Sequence, residues 1–402
     1  MLPEGWVSES LGNLFEFRNG LNTDKEQYGS GYKFVNVMDV FGNDILTEAN
    51  IIGRVEVSEK QLVECQLRYG DVLFNRTSET FDEIAVTAVY LDNAVATFGG
   101  FVIRGRPKTT KTCPKYLVFA FQASSYRCQV IRLGQGAVRA NIGQKDLVKV
   151  NVLVPPLPEQ KKIAQILSTW DNAISATERL LDNSQQRKKA LMQQLLTGKQ
   201  RLPGFEGEWR NVLLKEILIP KKSKSGDGSY PVYSVTKHGL ISQEEYFNKS
   251  VAAEDLSGYL IVDEADFVMS GLNFWMGSVD VHTKPFSVIV SPAYKVFSLS
   301  QKVVASYFRN FIQTHLFKRI LEGSSVMGAS IVRRNFNRDL FMEWSIKLPS
   351  IKQQQAIANV LTTADQEIDA LQKRLDHLKL EKKALMQQLL TGKRRVQVED
   401  AA

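Results

Sequence analysis

The chain has 402 residues, with 51 basic and 43 acidic side chains and a formal charge of +8. At 44% hydrophobic and 23% charged it can bury sizeable cores, which excludes a disordered chain and predicts two or three domains. No apolar run approaches the ~18 residues of a membrane span. The opening Met1-Leu2-Pro3-Glu4-Gly5-Trp6 lacks a signal-peptide pattern, and Cys65, Cys113 and Cys128 are too few for a disulfide framework, so a reducing cytoplasm is expected.

In chain order, residues 33–37, 71–74, 84–90 and 101–104 read as strands and 115–131 as one helix. Residues 93–145 carry nine Lys/Arg and no acid. Prolines 155, 156 and 158 then open a helix that Thr197-Gly198 closes, since proline is tolerated at a helix start and glycine caps its end. Within it Ile163, Leu167, Trp170, Ile174, Thr177, Leu181, Ser184, Leu191 and Leu195 form a heptad stripe, broken by Lys188. Further on, 259–262, 267–269 and 287–290 read as strands and 303–321 as one helix; residues 281–338 carry nine Lys/Arg against a single acid, Glu322. A second long helix starts after Pro349-Ser350 and ends at Thr391-Gly392.

The two long helices are copies. Lys-Lys-Ala-Leu-Met-Gln-Gln-Leu-Leu-Thr-Gly-Lys occupies 188–199 and again 382–393, an offset of 194. The match runs back without a gap to Pro155/Pro349 and includes Gln160/Gln354, Ile163/Ile357, Leu167/Leu361 and Asp171/Asp365. Weaker echoes pair Leu2-Pro3-Glu4-Gly5-Trp6 with Leu202-Pro203 and Glu206–Trp209, and Gly70–Phe74 with Ala265–Met269. The chain therefore divides into globular parts at 1–154 and 202–348, each followed by a helical region, 155–201 and 349–402. The fold class expected is α+β (mixed α/β). An apolar stripe must be buried, and the obvious partner of each stripe is the other copy. Connectivity favours antiparallel packing, a rod of about 60 Å with a globular part at each end.

Catalytic signatures are missing. There is no phosphate-binding G-x-x-x-x-G-K-[ST], no G-x-G-x-x-G after a strand, and the four histidines stand apart from one another and from cysteine pairs. Val154-Pro155-Pro156-Leu157 does not fit a methyltransferase motif, and Glu381-Lys382-Lys383 reads as solvated charge rather than part of a nuclease site.

The chain resembles the specificity subunits of type I restriction–modification systems. The resemblance rests on residues 157–164 and 188–199 with their counterparts in the second half, and on the Leu-Pro…Trp segments. It implies two target recognition domains, each reading half of a bipartite double-stranded DNA sequence. It also implies a non-catalytic chain without its own cofactor or metal. The partners implied are two methyltransferase subunits using S-adenosylmethionine and restriction subunits using ATP and Mg. A coiled-coil scaffold that reads no sequence is the alternative.

Phosphate and base contacts come from Lys, Arg, Asn and Ser/Thr side chains. In the first domain the loop Asn75-Arg76-Thr77-Ser78 is the candidate, with Arg76 foremost, against the reading of Arg76 as a structural surface arginine. Arg104, Arg106, Lys108 and Lys111 are candidate phosphate contacts from the acid-free block. In the second domain the corresponding loop is 270–275, where Asn273 suits adenine and Phe274 or Trp275 is either core or reader. Lys221, Lys222 and Lys224, with Tyr233, Lys237 and His238, form a basic-aromatic stretch. Arg333 and Arg334 precede the second long helix as Arg139 and Asn141 precede the first, serving DNA, methyltransferase or docking.

Overall fold

The structure, a computed structural model, describes residues 2–136, 139–226, 230–247, 255–330 and 333–398. It divides into two compact units, 1–178 with 374–402 and 179–373. Each unit takes one globular part, the first half of one long helix and the last half of the other.

The first unit is built on a five-stranded sheet ordered Phe15–Asn19, Val102–Pro107, Val72–Asn75, Thr87–Tyr90 and Ile45–Leu46. All its pairings are antiparallel except the parallel edge Ile45–Leu46. A three-stranded sheet of Arg54–Val55, Tyr28–Val35 and Ala96–Phe98 lies beside it. The strand Val7–Ser10 pairs antiparallel with Asn151–Val154, which feeds the first long helix.

The second unit repeats the plan with a main sheet of four strands instead of five. Its sheet runs Leu218–Lys221, Lys295–Leu299, Phe267–Met269 and Val279–Val281. Arg210–Leu213 again pairs with the strand leading into a long helix, Ser345–Leu348. The hairpin Tyr233–Thr236/Gly239–Ser242 and the antiparallel pairs Leu260–Val262/Val288–Val290 and Ser325–Ser330/Arg333–Phe336 complete it among the described residues.

Each segment expected as one helix is two. Pro114–Ala120 and Ser124–Leu133 form the first pair, Ala305–Phe311 and His315–Gly323 the second. The break has a local cause. Ala123 and Thr314 take extended backbone, and Thr314 Oγ1 accepts the Phe317 amide, starting a new helix. The turn lets both helices bury aromatics: Tyr116, Phe121 and Tyr126 in one unit, Phe308, Phe311 and Phe317 in the other.

The long helices are Leu157–Leu195 and Ile351–Leu389, 39 residues each. Gly198 and Gly392 follow them, both at φ +72°, the left-handed conformation that closes a helix at no steric cost in glycine. In the first unit Ile163, Ala164 and Leu167 share one core with Leu389, Leu390, Phe15 and Phe74. In the second Ile357, Ala358 and Leu361 share one with Leu195, Leu196, Phe267 and Phe341. The helices run antiparallel in both units. In the first, Asp171 meets Lys382 and Glu178 meets Lys379; in the second, Arg187 meets Glu367 and Lys188 meets Asp365. Lys188 and Lys382, which break the apolar stripe in sequence, are thus half-buried cations with partners across the pair. A charged seam position with a partner across the pair fixes helix register.

Candidate nucleic-acid interface

Three contacts recur in the two units and position their loops. Gln160 is buried, accepts the Cys113 amide (2.7 Å) and donates to the Lys111 and Pro155 carbonyls (2.8 Å each). Gln354 does the same for Val304 (2.8 Å), Lys302 (3.1 Å) and Pro349 (3.0 Å). Cys113 and Val304 precede the first residue of a short helix, so each glutamine both caps a helix and pins it to the long one. The lysines continue the correspondence: Lys111 pairs with Glu9, and Lys302 with Glu216.

The second contact is the aspartate of the Gly-Asp-Val-Leu-Phe-like segments. Asp71 accepts the Arg68 amide (2.8 Å), and Asp266 accepts the Asp263 amide (2.9 Å), each tying a turn before its strand. Gly70 and Ala265 before them both have positive φ. A buried carboxylate needs a counter-charge. Arg106 supplies it bidentately to Asp71 (2.9 and 2.7 Å), and Lys221 to Asp266 (2.5 Å) and Asp263. Burial opposes the charge on Lys221, but hydrogen bonds to Asp263 and Asp266 outweigh it and hold its pKa above the usual lysine value.

The third is a tryptophan at the helix start, and here the units differ. Trp6 Nε1 donates to Glu159 (3.2 Å), which also binds Arg395 beyond the end of the second long helix. Pro3 and Trp6 pack on Gly392, where an added Cβ would lie 2.5 Å from Pro3 Cγ. In the second unit Trp209 packs on Gly198, but the residue matching Glu159 is Gln353, and Trp209 Nε1 and Gln353 Nε2 are buried without partners. Arg201, matching Arg395, stacks on Trp209 and donates to the Gly207 carbonyl (2.6 Å).

These contacts correct several sequence expectations. Arg106 and Lys221 are the internal partners of the repeated aspartates, not free DNA contacts. Arg104 is 3% exposed, lies over Phe98 and donates to the Glu64 and Gln66 carbonyls; burial, with Arg106 adding, pulls its pKa down. Asn75 is fully buried, donates to the Glu83 carbonyl and accepts the Thr77 amide. Ser78 is buried on Glu83. Tyr233 is buried with its hydroxyl on Lys284 (2.9 Å). Lys108 and Lys111 are exposed but bind Gly12 O and Glu9. Lys222 and Lys224 are exposed beside the second sheet. Phe274 is core; Trp275 is half-buried under the Arg334 guanidinium (4.6 Å). Arg333 lies in a strand, and its side chain is outside the described residues.

Arg76 and Thr77 line a cleft in the first unit, and Lys237 and His238 line a cavity in the second. In the first, about 600 Å³ is lined by Arg76, Thr77, Arg139 and Asn141, with Asn22, Asn36 and the rings of Tyr28, Phe34 and Phe101. Arg76 is exposed, fixed through its amide to Phe101 O (3.0 Å) and through Nη1 to Gly100 O (3.3 Å). Thr77 donates to Asn141 Oδ1 (2.7 Å), and Asn141 donates to the Arg139 carbonyl (3.1 Å). The loop after the central strand and the segment before the long helix are therefore one surface, stitched by the pairing of Thr77–Ser78 with Ala140–Asn141. The second unit joins the same two segments through Arg334 on Trp275 and Phe336 against Phe274. Its cavity, about 420 Å³, collects Lys237 and His238 with Arg309, His315 and Lys318, close to exposed Asn273.

Sequence reasoning did not single out Arg309, His315 or Lys318, although the acid-poor block 281–338 contains all three. Nothing local in the sequence marked Asn22 or Asn36; Asn36 is held in the cleft by capping the helix Val37–Gly42. Among the described residues, no group of His, Cys, Asp and Glu could hold a metal ion, and no helix is long and apolar enough to cross a membrane.

Residues 3–183 match the family model for the type I restriction modification DNA specificity domain. A Methanocaldococcus jannaschii protein assigned as the MjaX type I restriction enzyme specificity subunit is 25% identical, covering 98% of this chain and 95% of its own. The EcoKI specificity subunit of Escherichia coli K12 is 26% identical over 49% of this chain and 42% of its own. Among solved structures, the S subunit of a type I system from M. genitalium superposes with a TM-score of 0.57 over 97% of this chain and 98% of its own, at 14% identity. The HsdS subunit from Thermoanaerobacter tengcongensis gives 0.52 over 98% of each chain at 17% identity. At these identities the structural likeness speaks for the fold.

Proposed function

We propose that the chain is a type I restriction–modification specificity subunit and that each unit reads one half of a bipartite double-stranded DNA target. The observation that carries this reading is repetition with divergence. Docking glutamine, buried aspartate and seam lysine recur at matching positions, whereas the clefts they position are lined by different side chains. A constant frame with variable linings is what reading two unrelated half-sites requires, because base contacts carry sequence and frame contacts do not.

The chain is the non-catalytic subunit of its complex. Two methyltransferase subunits would use S-adenosylmethionine to modify adenine, and restriction subunits would use ATP and Mg to cut unmodified DNA. A cytoplasmic setting and a role in phage defence follow from that chemistry. The exposed helix faces are the surfaces open to the methyltransferase subunits.

Comparing methylomes with and without the gene tests the function. One bipartite adenine-methylated motif is expected to vanish. Replacing residues 1–154 with those of another family member is expected to change one half of the motif and leave the other. An unchanged methylome overturns the function, and a change in both halves overturns the division of labour.

A further inference from the structure

The second unit's cavity has three walls: the turn of the hairpin Tyr233–Ser242, the end of the short helix Phe274–Met276, and the corner between Ala305–Phe311 and His315–Gly323. Its lining carries three cations, Lys237, Arg309 and Lys318, and two histidines, His238 and His315. Among the described residues lining it, Asp280 is the one carboxylate, and it is already used. Its Oδ1 accepts from Arg309 Nε (3.2 Å) and the Val281 amide (2.8 Å), and its Oδ2 from the Leu240 amide (2.9 Å). This aspartate also fixes the turn. Gly239 sits at φ +100°, and a Cβ there would lie 2.5 Å from Asp280 Oδ2, so the hairpin rests directly on the carboxylate. Lys237, His238, His315 and Lys318 remain exposed around it.

Two further features select the ligand. Thr314 caps the helix His315–Gly323 at the cavity wall, so the positive end of that helix adds to the field. No Phe, Tyr or Trp is among the described lining residues, whereas the first unit's cleft has Tyr28, Phe34 and Phe101. A site rich in cations and poor in rings suits a phosphate and offers a base no platform.

Resting on the DNA-reading function, we infer that this cavity seats a backbone phosphate of the duplex, bound by Lys237 and Lys318 at the mouth and oriented by the Asp280-held turn. The second unit then anchors the DNA backbone here, and Asn273 on the adjoining loop is left to face the bases.

The test titrates the full-length chain with a duplex carrying its methylation motif and with a scrambled duplex, over a salt series. K237Q and K318Q are each expected to weaken both duplexes by the same factor and to lower the slope of log Kd against log salt by about one. K237R and K318R are expected to keep the wild-type slope, and thermal melts of all four to match wild type. Unchanged affinity and slope in both glutamine variants overturn the site. A loss confined to the motif duplex also overturns it, because these lysines would then read bases. The two readings fail separately: a wild type that binds both duplexes alike defeats sequence reading, while the slopes still decide the phosphate site.

Discussion

The two units treat their frames alike and their clefts differently. In the first, two arginines share the cleft with asparagines and aromatic rings; in the second, lysines and histidines surround a buried aspartate. Beneath them, Gln160 and Gln354 make the same three hydrogen bonds, and Lys382–Asp171 and Lys188–Asp365 are the same ion pair. Divergence is thus concentrated in the clefts, while the docking glutamines and seam ion pairs are kept. Such a molecule can acquire a new target in one unit without relearning how to fold.

The comparison breaks most sharply at the glutamines. Q160A and Q354A each strand a buried amide and two carbonyls, and each is expected to destabilise its own unit by about 3 kcal/mol. Hydrogen exchange resolved by unit measures this, and unequal costs would show that the frames are not equivalent. R76A comes next. It is expected to leave exchange unchanged and to cost about 2 kcal/mol of discrimination at one half-site, seen as a relaxed methylated motif. The seam lysines should cost less, because their aspartates are 47% and 42% exposed and screened by water. K188M and K382M are each expected to lose about 1 kcal/mol, recoverable only with the matching aspartate also replaced, in a double-mutant cycle. Smallest of all, E159Q is expected to lower the first unit's melting temperature slightly, by making its helix start resemble the second. No change there would mean that the Trp6–Glu159–Arg395 contacts add nothing over those of Trp209.

Much of the frame is legible in the sequence because it is repeated. The 194-residue offset fixes both helices, and proline and glycine bound them to within a few residues. Gln160/Gln354 and Asp171/Asp365 stand out as pairs before any contact is known. The clefts are not legible in this way, since their residues come from distant segments that do not recur. Charge alone misled at Arg106 and Lys221. In sequence they look like free cations; in space they neutralise Asp71 and Asp266, which only the sheet brings within reach. The split of residues 115–131 and 303–321 was hidden for a related reason. Helix propensity continues through both corners, and the break comes with extended backbone at Ala123 and Thr314, the latter a side-chain cap, and with the aromatics packed on either side.

The meeting of Pro3 and Trp6 with Gly392, and of Glu159 with Arg395, has one more consequence. In the first unit Pro3 and Trp6 lie against Gly392, making by contact the junction that residues 198–209 make covalently in the second. A circular permutant, with tail linked to head and new ends opened between 199 and 208, is expected to melt and methylate as the parent does; failure to fold would show that the open junction is not interchangeable with the closed one.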